Sequence, residues 1–110
     1  MDQTFSLDNI FGSLADPTRR DILRRVAVQE MSVGEVAAPY TLSLAAVSKH
    51  LKILEKARLI MKHRRGKQQY VQLAPYAFRD ATEYLEWYQI LWEQRLDALE
   101  DLLNKEETDV

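Results

Sequence analysis

The sequence predicts a mostly α-helical fold that carries one small β-hairpin and ends in a long helix. Three observations lead there. Apolar residues recur at spacings of three and four through Ile22-Leu23-Val26, through Val47-Leu51-Leu54, and from Ala81 to Leu103, which is the period of amphipathic helices. The stretch Gln69-Tyr70-Val71-Gln72-Leu73 alternates instead, and Arg65-Gly66-Lys67 stands before it as a turn. Finally, 110 residues that are 46% hydrophobic and 29% charged suit a single soluble domain with a modest core.

A first short helix is expected from Leu7 to Leu14. Asp16-Pro17 opens a second, near Pro17 to Ala27, because Asp16 can cap and proline suits the first helical turn. Ser32-Val33-Gly34-Glu35 has the spacing of a capping box. It starts a short third helix with Val36 and Ala37 inward, which Pro39 stops. After the connection Tyr40-Thr41-Leu42, Ser43 is expected to cap a fourth helix from Leu44 to Ala57. Val47, Leu51 and Leu54 form its inward stripe, while Ser48, Lys49, Lys52 and Lys56 occupy the open face. Two short helices joined by a tight turn, the second basic on its open side, make a helix-turn-helix. Leu59 to Arg64 and Gln69 to Leu73 then form a hairpin directly after the recognition helix, a wing with a basic tip. Pro75 precedes a final helix from Tyr76 to Leu103. The expected architecture is a winged helix-turn-helix with a long C-terminal dimerisation helix. Residues 1–103 form the domain and 104–110 a flexible acidic tail.

The net charge of −2 conceals two opposed blocks. From Ala45 to Tyr70 there are eight basic residues and one acid, a net +7; from Asp80 to Val110 there are ten acids and two bases, a net −8. The first block suits a polyanion and the second repels one. Double-stranded DNA is the expected partner. Arg64, Arg65 and Lys67 at the wing tip suit phosphate, with Lys49 and Lys52 flanking the groove. Sequence reading favours short side chains near the start of the recognition helix. Ser43, Ala45, Ala46 and Ser48 supply them, the alanines suiting thymine methyls. His50 suits a phosphate, a base or a local bond within the protein. Gln68 and Gln69 read as ordinary strand polarity.

The last helix carries more apolar surface than one small domain needs. Ala81, Leu85, Tyr88, Trp92, Leu96, Leu99 and Leu103 form one row, and Phe78, Tyr84, Trp87, Leu91 and Leu102 widen it. One part is expected to pack on the domain and the other on a second copy. The expected dimer contacts are Phe5, Leu7, Ile10 and Phe11 from the first helix, with Tyr84, Leu85, Trp87, Tyr88, Leu91, Trp92 and Leu99 from the last. Packing is also the expected role of the aromatic residues Trp87, Tyr88 and Trp92, in preference to an effector pocket, and no residue identifies an effector.

Several classes are disfavoured. Cysteine is absent and only His50 and His63 are present, so no metal site and no cofactor are expected. Glu83, Glu86 and Glu93 have no nucleophile arranged with them, and no glycine-rich loop cradles a phosphate, so an enzyme is not expected. No run of 18 apolar residues exists, and Met1-Asp2-Gln3-Thr4 lacks the basic start of a secretory signal. A cytoplasmic protein without membrane attachment is expected. The competing reading is a dimeric winged-helix protein-interaction module without specific DNA recognition, which the +7 block disfavours.

The phrases Leu14-Ala15-Asp16-Pro17-Thr18-Arg19-Arg20-Asp21-Ile22-Leu23 and Ser43-Leu44-Ala45-Ala46-Val47-Ser48-Lys49-His50-Leu51-Lys52-Ile53-Leu54-Glu55, followed by Leu59-Ile60 and the wing around Arg65-Gly66-Lys67, resemble the ArsR family of winged-helix transcriptional regulators. The resemblance covers about residues 5 to 103. It implies a dimeric repressor acting on an inverted-repeat operator. Metal-sensing members hold their ions with cysteines on the third helix or with Asp and His on the last. Here the third helix reads Glu35-Val36-Ala37-Ala38 and the last has no histidine, so the resemblance is to a branch that does not sense metals. Arg58 also departs from the pattern, standing where the family usually has glycine after the recognition helix. It must either adopt a left-handed cap or close the helix differently.

Overall fold

A computed structural model describes residues 3–74 and 76–108, with side chains for 7–74 and 76–106. The elements run α1 (Gln3–Leu14), α2 (Pro17–Val28), β1 (Met31–Ser32), α3 (Val33–Ala37), α4 (Leu44–Lys56), β2 (Ile60–Arg65), β3 (Gln68–Leu73) and α5 (Tyr76–Thr108). The fold is the winged helix-turn-helix expected from the sequence, with three local differences. Helix α1 begins at Gln3, before the expected Leu7. The wing is not a lone hairpin: β1 pairs with the free edge of β3, giving an antiparallel sheet of order β1-β3-β2. Helix α5 continues to Thr108, through most of the segment expected to be a flexible tail.

The caps form as the sequence requires. Asp16 accepts from Arg19 N at 3.0 Å, with Pro17 in the first turn of α2. Ser32 and Glu35 complete a reciprocal capping box on α3. Ser43 Oγ accepts from Ala46 N at 3.1 Å, starting α4. The carbonyls that α1 leaves open at its C-terminus are met by arginines from α2. Arg19 Nε donates to Ser13 O at 2.8 Å and Arg20 Nη1 donates to Leu14 O at 2.8 Å.

A single core lies under α4 and the sheet. It is built from Ile10 of α1, Ile22, Leu23 and Val26 of α2, Val36 of α3, Val47, Leu51 and Leu54 of α4, Leu59, Ile60 and Val71 at the sheet, and Ala77 and Ala81 of α5. Arg25 ties α2 to α3 by donating to Val36 O and Glu35 O, both at 2.8 Å. Tyr40 donates to Asp21 from the turn between α3 and α4. That bond, first among the causes, holds the Asp21 carboxyl below its usual pKa, while burial and the bond to Asp21 raise the Tyr40 hydroxyl.

Helix α5 is anchored at its start by Ala77, Phe78 and Ala81, and Phe11 meets Tyr84 with ring centroids 5.7 Å apart. Beyond Tyr84 it leaves the domain. The chain spans 75 × 33 × 20 Å with a radius of gyration of 20.3 Å, against about 13 Å for a compact chain of this size.

Candidate nucleic-acid interface

The roll of α4 is set by burial of Val47, Leu51 and Leu54. At 100° per residue the opposite side of the helix then carries Ala45, Lys49, Lys52 and Lys56, and all four are exposed. Ala46 and Ser48 lie on the two flanks and are half-buried. Ser43 is exposed, but its hydroxyl already accepts the capping bond from Ala46 N. The open face is therefore small and uncharged at its first turn and basic beyond it, the order that lets a helix approach base edges while lysines meet phosphates.

His50 stands apart from this face. Its Nδ1 lies 3.2 Å from Arg19 Nη1 and 4.0 Å from Asp16 Oδ2. Because a guanidinium only donates, Nδ1 must accept and the proton sits on Nε2. Of the roles open to His50, the structure places it in the local bond, joining the recognition helix to the α1–α2 corner. At that corner the Arg19 backbone N–H, the largest influence, lowers the Asp16 pKa, and the Arg19 charge adds to it.

The wing turns through Gly66-Lys67, with Arg65 paired to Gln68 across the hairpin. Gly66 has φ 61°, as the first central position of a II′ hairpin demands, and glycine adopts it without a Cβ clash. Arg64, Arg65 and Lys67 are exposed at this tip. Arg65 is held on both sides: its guanidinium lies 4.1 Å from the Tyr70 ring centroid, and Nη2 is 2.9 Å from Glu30 Oε2. The start of α4 and the wing share a concave surface of about 250 Å³ lined by Ser32, Val33, Gly34, Leu44, Gln68 and Gln69.

At the C-terminal end of α4, Arg58 has φ 62°. Its N–H donates to Glu55 O at 2.9 Å, and Leu59 N–H donates to Leu54 O at 3.1 Å. These are the two reciprocal bonds of a Schellman cap, so the arginine takes the left-handed conformation that glycine usually fills. Lys62, another member of the basic block, is paired with Glu55 at 3.7 Å.

Two residues that the sequence reading passed over belong to this surface. Leu44 is 63% exposed at the first turn of α4. It stands three residues before Val47, in phase with the Val47-Leu51-Leu54 stripe, so its spacing reads as core and does not signal an exposed leucine. Glu30 pairs with wing residues from the α2–β1 connection, and nothing in its sequence neighbourhood signals that.

The expected dimer residues divide. Tyr84, Leu85, Trp87, Tyr88, Trp92 and Leu99 are exposed, Leu91 is half-buried, and Trp87 and Trp92 each show 61% of their surface. Leu7 and Phe11 are half-buried, and the side chain of Phe5 lies outside the described residues. Ile10 is a correction: it is fully buried in the domain's own core and has no surface left for a partner.

Comparisons with known proteins agree with this geometry. A helix-turn-helix domain model matches residues 14–63. The chain is 35% identical over 104 residues to the HTH-type transcriptional regulator Rv2034 of Mycobacterium tuberculosis, covering 94% of each chain. It is 33% identical over 79 residues to the transcriptional repressor SdpR of Bacillus subtilis, covering 72% of this chain and 88% of that one. The crystal structure of an ArsR family transcriptional regulator superposes with a TM-score of 0.77 at 33% identity, over 82% of this chain and 93% of the other. The chain belongs to the ArsR family of winged helix-turn-helix, DNA-binding transcriptional regulators.

Proposed function

We propose that the protein is a cytoplasmic homodimeric repressor that reads an inverted-repeat operator, independently of metal ions. The observation that carries the DNA-binding part is the outward face of α4, small at its first turn and lysine-rich beyond, beside a wing tip with three exposed cations. In this reading Ala45, Ala46, Ser48 and Leu44 face base edges, while Lys49, Lys52, Arg64, Arg65 and Lys67 meet phosphates. The name of the Bacillus relative, a repressor, supports the sign of regulation.

The dimer rests on α5. At 100° per residue, Tyr84, Leu85, Trp87, Tyr88, Leu91, Trp92, Leu96, Leu99, Leu102 and Leu103 gather on about half the circumference of a helix that has left its own domain. Leaving that surface in water is unfavourable by roughly 25 cal/mol per Å². A second copy covering it by two-fold symmetry doubles the recognition helices and makes the site an inverted repeat. The terminal helices thus belong to the same unit as the winged domain. Metal independence is supported by residue types, since no cysteine exists and both histidines meet side-chain partners, Arg19 and Glu30.

A gel shift on DNA flanking the chain's own coding sequence, with random duplex as competitor, tests the reading. Retained binding under competitor supports it, with zinc, cadmium and EDTA without effect. Equal loss to any competitor leaves only a non-specific binder and refutes it.

A further inference from the structure

Glu30 lies just before β1, on the edge of the sheet away from β2, yet its carboxylate reaches across β3 to the wing strand. Oε2 sits 2.9 Å from Arg65 Nη2, and Oε1 is in ion contact with His63 Nε2. His63 and Arg65 are two residues apart on β2 and so share one face of the sheet. His63 pairs with Tyr70 in register, and the two rings stack at 6.1 Å with 20° between their planes. The Arg65 guanidinium covers the same Tyr70 ring at 4.1 Å. Glu30 Oε1 is shut off from solvent and makes no well-aligned hydrogen bond among the described residues. Its close approach to His63 Nε2 is therefore an off-axis contact.

We propose that Glu30 is a positioning residue for DNA discrimination: it is an internal counter-charge that orients Arg65 and withholds its charge from loosely bound DNA. The proposal rests on the DNA-binding reading above. A guanidinium has five N–H donors in a fixed fork. One nitrogen of Arg65 is turned to Glu30, the ring of Tyr70 fixes the plane, and 57% of the side chain is still exposed. At contact distance the remaining donors can meet a phosphate. Beyond about one Debye length, roughly 8–10 Å, the Glu30–Arg65 pair carries no net charge. Random duplex that touches the wing loosely thus gains little from Arg65, whereas a fitted site engages its free donors.

The test uses the full chain and fluorescence anisotropy at several salt concentrations. Its probes are a random-sequence duplex and a duplex selected from a random pool. Glu30→Gln keeps the shape and removes the charge. Its binding to random duplex should tighten about 3- to 10-fold, with the slope of log K against log salt steeper by about 1. The gain on the selected duplex should be smaller. In an Arg65→Ala background, Glu30→Gln should leave the slope unchanged, because no withheld cation remains to release a counterion. Glu30→Asp keeps the charge but draws it back by one methylene, so an intermediate slope is expected. It also serves where the glutamine variant fails to fold. An unchanged slope in Glu30→Gln, equal steepening with and without Arg65, or weaker binding to both duplexes without a slope change overturns the proposal. Failure of the wild type to bind any duplex in a salt-dependent way overturns the DNA-binding reading itself, and this inference with it.

Discussion

Replacing Arg58 by glycine should make the protein more stable, although it deletes one cation of the basic stretch between Ala45 and Tyr70. Arg58 holds φ 62° to close α4, and the two bonds of the cap run entirely between backbone atoms. Both survive any substitution that keeps the N–H. The left-handed conformation costs an L-residue roughly 1–2 kcal/mol through its Cβ. Glycine removes that cost but gains freedom in the unfolded chain, which returns about 0.5–1 kcal/mol. The net gain is about 0.5–1 kcal/mol, a rise of roughly 2–6 °C in Tm for a domain of this size. Arg58→Ala is the control, since it loses the same charge and keeps the Cβ. Urea unfolding at one fixed protein concentration, with the m-value unchanged, reads the difference. Glycine should exceed alanine in midpoint, while both lose DNA affinity equally. A glycine variant no more stable than the alanine variant refutes the backbone argument.

Arg25→Ala should destabilise by about 1.5–3 kcal/mol, because it frees two carbonyls at the end of α3; Arg25→Lys should rescue little, one ammonium being unable to fork to both, and a thermal melt of the three proteins checks this. Asp16 and Asp21 have folded pKa values below their unfolded ones, so their stabilisation is present above about pH 4 and is lost as pH falls through the lowered values. Asp21→Asn should therefore trail the wild type near neutral pH and converge with it as pH falls through the lowered value, as read from urea midpoints across the acid range. Lys67→Ala should weaken every duplex similarly and make the salt slope shallower by about 1, whereas Arg65→Ala should change the slope less because Glu30 already withholds that charge. A bulky replacement at Ser48 should cost roughly 1–3 kcal/mol on the operator and much less on random DNA. Trp92→Glu should convert a sedimenting dimer into a monomer near 12.8 kDa, and a wild type that sediments only as a monomer at micromolar concentration defeats the dimer.

What was legible in the sequence was local. The caps at Asp16, Ser32 and Ser43 each act within four residues, and the roll of α4 follows from a stripe written in its own spacing. What was not legible depended on neighbours remote in the chain. The apolar face of α1 was plain, but sequence cannot say whether its cover is the same chain or another, and Ile10 belongs to the core. Strand β1 is only Met31–Ser32, too short to alternate, and it exists because β3 offers an unpaired edge. Residues 104–108 have no apolar rhythm and read as a tail, yet Lys105, Glu106 and Glu107 are good helix formers and prolong α5. The bond of His50 Nδ1 to Arg19 joins residues thirty-one apart in the chain, which no local spacing signals. A lone carboxylate such as Glu30 reads as a solvated charge in any sequence, and its partners lie more than thirty residues away.

Selection of bound duplexes from a random pool decides whether the protein reads DNA as a two-fold dimer. Two recognition helices related by two-fold symmetry should enrich an inverted repeat whose half-sites are centred about one helical turn, roughly 10–10.5 base pairs, or slightly more apart. No enrichment over the starting pool, or enrichment of a lone or directly repeated half-site, would contradict it.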